Sequence, residues 1–88
     1  MSENVSSNPL TNRIREALSL ALQVPIEGIS DDLAFGDLPQ WDSMGHMEVM
    51  IRLEESFGIE INAETIAALT SVAAIRQYLE SNHLAAPS

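Results

Sequence analysis

Apolar residues recur at three- and four-residue spacing near the start of the chain: Leu10, Ile14, Ala17, Leu18, Ala21 and Leu22. That period predicts one apolar stripe on an amphipathic helix. Asn8-Pro9 supplies its start, because asparagine caps and proline suits the first helical position. Pro25 disfavours helical geometry in the residue before it, so this helix is expected to end near Gln23. A second helix is predicted from about Ser43 to Phe57, stopped by Gly58 as a C′ glycine. Asn62 opens a short third helix through about Ala68. Thr70-Ser71 caps a fourth, with Val72, Ile75, Tyr78 and Leu79 on its buried side. Ile59-Glu60-Ile61 alternates like a strand, but no other segment reads as its partner, so it is expected to be an extended connector.

Residues 24 to 42 form a long connection punctuated by Pro25, Gly28, Gly36 and Pro39. It nevertheless holds Val24, Ile26, Ile29, Leu33, Phe35, Leu38 and Trp41. A loop this long and this apolar is expected to pack across a helix bundle, with a short helical turn near Ser30 to Leu33. The pattern as a whole predicts an all-α fold, a small four-helix bundle of three longer helices and one short one with a long first loop. Residues 1–7 are polar and expected to be disordered, and residues 82–88 read as a tail.

The second helix carries more apolar residues than a core requires. Stepping ~100° per residue from Met44, Val49, Met50, Leu53 and Phe57 fall between about 140° and 240°. Met44, Met47 and Ile51 fall between about 300° and 360°, with Glu48 and Glu55 at about 20–40° on their edge. One stripe suffices for a helix packed on one side. The second therefore reads as a docking surface, in which apolar contact gives affinity and carboxylates steer. Flexible methionines suit such a face. The alternative is that Leu38 and Trp41 of the loop cover it. His46 falls near 200°, on the core side, and reads as a partly buried histidine hydrogen-bonded to loop backbone.

Composition narrows the function. The chain of 88 residues suffices for one small domain. It has no cysteine, so neither disulfides nor thiolate-bound metal staple it. There are 13 acids against 4 bases, all arginine, for a net charge of −9. So negative a surface disfavours nucleic acid and anionic lipid and favours partners with basic patches. No apolar run approaches the ~20 residues that span a bilayer, and the polar N-terminus lacks a signal-peptide pattern. A cytoplasmic location is expected.

Ser43 follows Asp42 at the predicted start of the second helix. Either residue can accept hydrogen bonds from the free N–H groups of the first turn. A hydrolase nucleophile needs a base, an orienting acid and an oxyanion hole, and neither a G-x-S-x-G elbow nor an α/β scaffold is present. The loop "DDLAFGDLPQWD" lacks the spacing and final glutamate of an EF-hand, and His83, the only histidine besides His46, lies in the predicted tail. No metal site is expected. A further possibility is covalent carriage, since the positive end of a helix dipole favours a phosphate on an exposed serine there.

Asp42-Ser43-Met44, followed by "MEVMIRLEESFGIEI", resembles the phosphopantetheine attachment region of acyl carrier proteins. The resemblance runs from about Leu10 to Leu84 and takes in the long apolar loop and the final pair of helices. It implies an acyl-carrier-type bundle over residues 8–84, with residues 85–88 as a C-terminal tail. It also implies that Ser43 carries 4′-phosphopantetheine, transferred from coenzyme A by a phosphopantetheinyl transferase. Asp42 would cap the helix and help that transferase engage. Met44, Met47, Glu48, Ile51 and Glu55 would form the partner-recognition face. Acyl or aminoacyl groups would ride as thioesters on the arm, and the carrier itself would not be an enzyme. The implied partners are acyl- or aminoacyl-activating ligases, synthases and transferases with basic docking patches, and the implied state is a monomer.

Two departures from the family's commonest patterns point to a specialised-pathway carrier (polyketide-like, nonribosomal or aminoacyl). Gly45 stands where fatty-acid carriers most often have an acid, and is expected to give room or flexibility near the arm. Gln40-Trp41 replaces the glycines common in peptidyl carriers. A contrasting function is an acidic helical adaptor that binds partners through the second helix and uses Ser43 only as a cap.

Overall fold

A computed structural model describes residues 9–81. The Asn8 cap and the expectations for residues 1–7 and 82–88 lie outside the described residues. Among the described residues four α-helices follow in order: α1 (Pro9–Leu22), α2 (Ser43–Phe57), α3 (Ala63–Ala68) and α4 (Val72–Ser81). The all-α bundle of three longer helices and one short one is therefore present, and Ile59–Ile61 is a connector in neither helix nor strand, with Ile59 buried.

The helix ends follow their local chemistry. After α1, Gln23 adopts a left-handed φ of 59° and the Val24 N–H donates to the Ser19 carbonyl at 3.2 Å. This closes the helix in the manner of a Schellman motif, with Pro25 just beyond it. Gly58, at φ 73°, ends α2 and donates its N–H to the Glu54 carbonyl at 2.8 Å. Asn62 and Thr65 form a reciprocal capping box at the start of α3. At α4 it is Ser71 that caps, its Oγ accepting from the Ala74 N–H at 3.0 Å.

α1 and α2 pack antiparallel. Arg13 near the start of α1 donates to the Ser56 carbonyl at 2.9 Å and sits 4.6 Å over the Phe57 ring. It thereby satisfies one of the last carbonyls of α2, which lack partners in the helix. At the other end Leu22 lies beside Gly45. The core stripe expected on α2 is in place, since Val49, Met50, Leu53 and Phe57 are buried against Ile14, Leu18, Ile75 and Leu79. Each such side chain contributes about 1.5–3 kcal/mol by leaving water.

The long loop packs inward, as its apolar content required. Ile29, Leu33 and Trp41 are buried, and Val24 and Leu38 pack against the core. Its helical turn differs in place from the expectation. A 3₁₀ turn occupies Ile26–Gly28, while Ser30–Leu33 is a simple turn closed by the Leu33 N–H on the Ser30 carbonyl at 3.2 Å. The physical reason is Arg15 of α1, which donates to the Ile29 carbonyl at 2.6 Å and the Ile26 carbonyl at 3.1 Å and so fixes the tighter turn beside α1. Further on, Val72 N–H donates to Leu33 O at 2.9 Å and Phe35 N–H to Thr70 O at 2.8 Å, forming an isolated antiparallel bridge between Ala34 and Ser71. That bridge ties the loop to the start of α4.

Candidate functional site

The start of α2 divides its tasks between adjacent residues. Asp42 is extended, and its Oδ1 accepts the Gly45 N–H at 2.9 Å, so it is the N-cap. Ser43 is the first helical residue and is exposed. Its hydroxyl makes no hydrogen bond among the described residues, so it caps nothing. The first turn of α2 contains no acid. A free hydroxyl thus stands at the positive pole of a 15-residue helix. These features fit a phosphodiester on Ser43: the oxygen is accessible and unengaged, at the end of the helix whose dipole favours an anion and whose free N–H groups the Asp42 carboxylate occupies only in part.

Beside it lies the second apolar stripe. Met44 is 81% exposed, Met47 40% and Ile51 41%. The loop does not cover them. Trp41 is turned fully into the core, and Leu38 packs against the same core. Glu48 and Glu55 are exposed on the edge of the stripe. Glu55 meets Arg52 at 3.7 Å, one turn away on the surface, a pair worth little in solvent. Two of the other arginines, Arg13 and Arg15, are spent on backbone carbonyls, which leaves the acids of this face largely uncompensated.

His46 is buried, as its wheel position indicated, but its partners are not loop backbone. Trp41 Nε1–H donates to Nδ1 at 3.1 Å, and Nε2 lies 2.7 Å from the Ile66 carbonyl oxygen. The indole only donates and the carbonyl only accepts, so both contacts require the Nε2–H tautomer. The Phe35 ring meets the imidazole edge-on at 5.7 Å between centroids.

Gly45 also differs from its expected role. A Cβ there would overlap the Gln40 carbonyl oxygen and approach Leu22 Cδ2 to 3.1 Å. Its room is therefore filled by loop backbone crossing the first turn, and flexibility is not the reason for the glycine. Sequence reasoning missed that His46 joins Trp41 of the loop to the Ile66 carbonyl of α3, and that the Gln40 carbonyl lies against Gly45. The available signal was a tryptophan five residues before a histidine on the core side of the wheel.

Among the described residues no group of three histidine, aspartate or glutamate side chains is arranged to hold a metal, and no helix is long and apolar enough to cross a membrane.

Residues 12–79 match the family described as "Phosphopantetheine attachment site". The chain is 29% identical over 76 residues to "Acyl carrier protein 3" of Ralstonia nicotianae, an alignment covering 85% of this chain and 87% of that protein. It is 28% identical over 76 residues to "Acyl carrier protein" of Buchnera aphidicola subsp. Schizaphis graminum, covering 86% and 96%.

Proposed function

The chain belongs to the acyl carrier protein family, whose members bear phosphopantetheine, and on that footing we propose that Ser43 is its attachment residue. The observation that carries this reading is the exposed, unbonded hydroxyl of Ser43 at the first position of α2, next to an aspartate that already caps the helix. In the transfer, Ser43 Oγ forms a bond to the phosphorus that bears the pantetheine in coenzyme A, the P–O bond to the other phosphate of the pyrophosphate breaks, adenosine 3′,5′-bisphosphate leaves, and the hydroxyl proton passes to the transferase. When bound, the arm supplies a terminal thiol that holds acyl or aminoacyl groups as thioesters. The carrier domain spans residues 8–84 and performs no catalysis of its own.

Met44, Met47 and Ile51 give partner enzymes an apolar footing beside the arm, and Glu48 and Glu55 select basic docking patches. Those partners are the phosphopantetheinyl transferase and the ligases, synthases or transferases that load and consume the cargo. A cytoplasmic setting, where coenzyme A and such enzymes meet, accords with this role.

The test is intact mass after incubation with coenzyme A and a broad-specificity phosphopantetheinyl transferase. A gain of one phosphopantetheinyl group is expected in the native chain and none in Ser43→Ala. No gain in the native chain, or a gain that survives in Ser43→Ala, overturns the reading.

A further inference from the structure

The residues on either side of Ser43 are tied down, although its hydroxyl makes no hydrogen bond among the described residues. Trp41, two residues earlier, is fixed at three points. Its N–H donates to the Leu38 carbonyl at 3.0 Å and its carbonyl accepts the Gly36 N–H at 3.1 Å. Its indole N–H reaches His46 Nδ1 at 3.1 Å. His46, three residues after Ser43, continues the chain of contacts through Nε2–H to the Ile66 carbonyl at 2.7 Å. That carbonyl lies in the last turn of α3, a six-residue helix ending at Ala68, where carbonyls lack an intrahelical donor. His46 thus caps α3 from another helix. Between these contacts the Gln40 carbonyl rests on Gly45, which only a residue without Cβ permits.

We infer that His46 is a positioning residue for the modification of Ser43, acting through Trp41 and the loop segment that leads into α2. The inference rests on Ser43 being the attachment residue. The outer face of Met44, Met47 and Ile51 does not include His46, so losing the histidine leaves docking intact. What it releases is the segment Pro39–Asp42 and hence the alignment of Ser43 Oγ in the docked complex. Misalignment of this kind acts on the chemical step. A merely structural role has a different signature. Partial unfolding lowers the concentration of competent substrate, which raises apparent KM and leaves kcat unchanged.

The experiment varies the concentration of the full chain with coenzyme A and a broad-specificity transferase, and reads kcat and KM separately. His46→Phe keeps an aromatic ring and removes both hydrogen bonds. It is expected to lower kcat about tenfold with KM within about twofold. His46→Gln, whose carboxamide can both accept from the indole and donate to Ile66, restores most of the loss. Trp41→Phe removes one bond only and lowers kcat by less than His46→Phe. Imidazole ¹⁵N resonances of the native chain should show a protonated Nε2 and an unprotonated Nδ1. A wild-type kcat in His46→Phe and Trp41→Phe, a defect confined to KM, or a His46→Gln as slow as His46→Phe overturns the inference. Should His46→Phe fail to fold, Trp41→Phe decides in its place: a lowered kcat with KM within about twofold upholds the inference, and a wild-type kcat or a defect confined to KM overturns it. Failure of the native chain to be modified removes the Ser43 reading itself and this inference with it, an outcome distinct from a modified native chain with indifferent variants.

Discussion

The carboxylate of Asp42 caps α2 through the Gly45 N–H at 2.9 Å, and the adjacent hydroxyl of Ser43 is left without a partner among the described residues. The division has a thermodynamic consequence. Asp42→Ala is expected to lose about 1 kcal/mol of stability, the usual worth of an N-cap. Ser43→Ala should stay within about 0.5 kcal/mol of the native chain, as exposed substitutions outside such features do. Urea unfolding of both variants checks this. A larger loss for Ser43→Ala would make serine the cap and favour an adaptor in which it carries nothing.

Gly45→Ala tests the close approach of loop and helix. Helix propensity alone favours alanine by up to ~1 kcal/mol. The Cβ would, however, overlap the Gln40 carbonyl oxygen, and forcing backbone apart in a packed site costs about 1–3 kcal/mol. The expected outcome is net destabilisation, against the propensity. A more stable variant in urea unfolding would show that the loop does not lie on the first turn of α2.

Arg15→Ala addresses the first part of the loop. Its guanidinium bonds the Ile29 and Ile26 carbonyls, and those two residues also hold the 3₁₀ turn through the Ile29 N–H at 3.0 Å from the Ile26 carbonyl. Amide exchange at Gly28 and Ile29 should quicken in the variant, while the core amides of α2 around Leu53 keep their protection. Uniform loss of protection would mean that the turn is not a separate unit.

The cap at Asp42, the stop at Gly58 and both stripes of α2 were legible in the sequence because each depends on residues within one or two turns. The second stripe was legible as apolar, but its exposure depended on where Trp41 and Leu38 went. Trp41 goes inward because His46 offers its indole N–H a buried acceptor, which no local pattern encodes. Gly45 stands out in the sequence and does provide room, but the atom that takes that room belongs to Gln40 on the incoming loop, which no local pattern names. His46 was placed correctly on the core side, but its carbonyl partner is Ile66, twenty positions away in sequence. The Arg15 contacts, which set the place of the 3₁₀ turn, are likewise nonlocal.

The docking face separates into two kinetic contributions. Glu48 is exposed on the edge of the stripe and has no ion pair among the described residues, Arg52 one turn on pairing instead with Glu55, so its charge is free to attract a basic partner. Met47, 40% exposed, offers apolar surface that matters only after contact. Glu48→Lys should therefore slow association with the transferase and flatten its dependence on salt, because screening over about 10 Å at 0.1 M ionic strength acts on the encounter. Met47→Ala should leave the association rate nearly unchanged and speed dissociation, where most differences between related interfaces reside. Stopped-flow binding at low and moderate salt reads both rates. If Glu48→Lys binds at the native rate with the native salt dependence, steering by this carboxylate is refuted and the interface is apolar in origin.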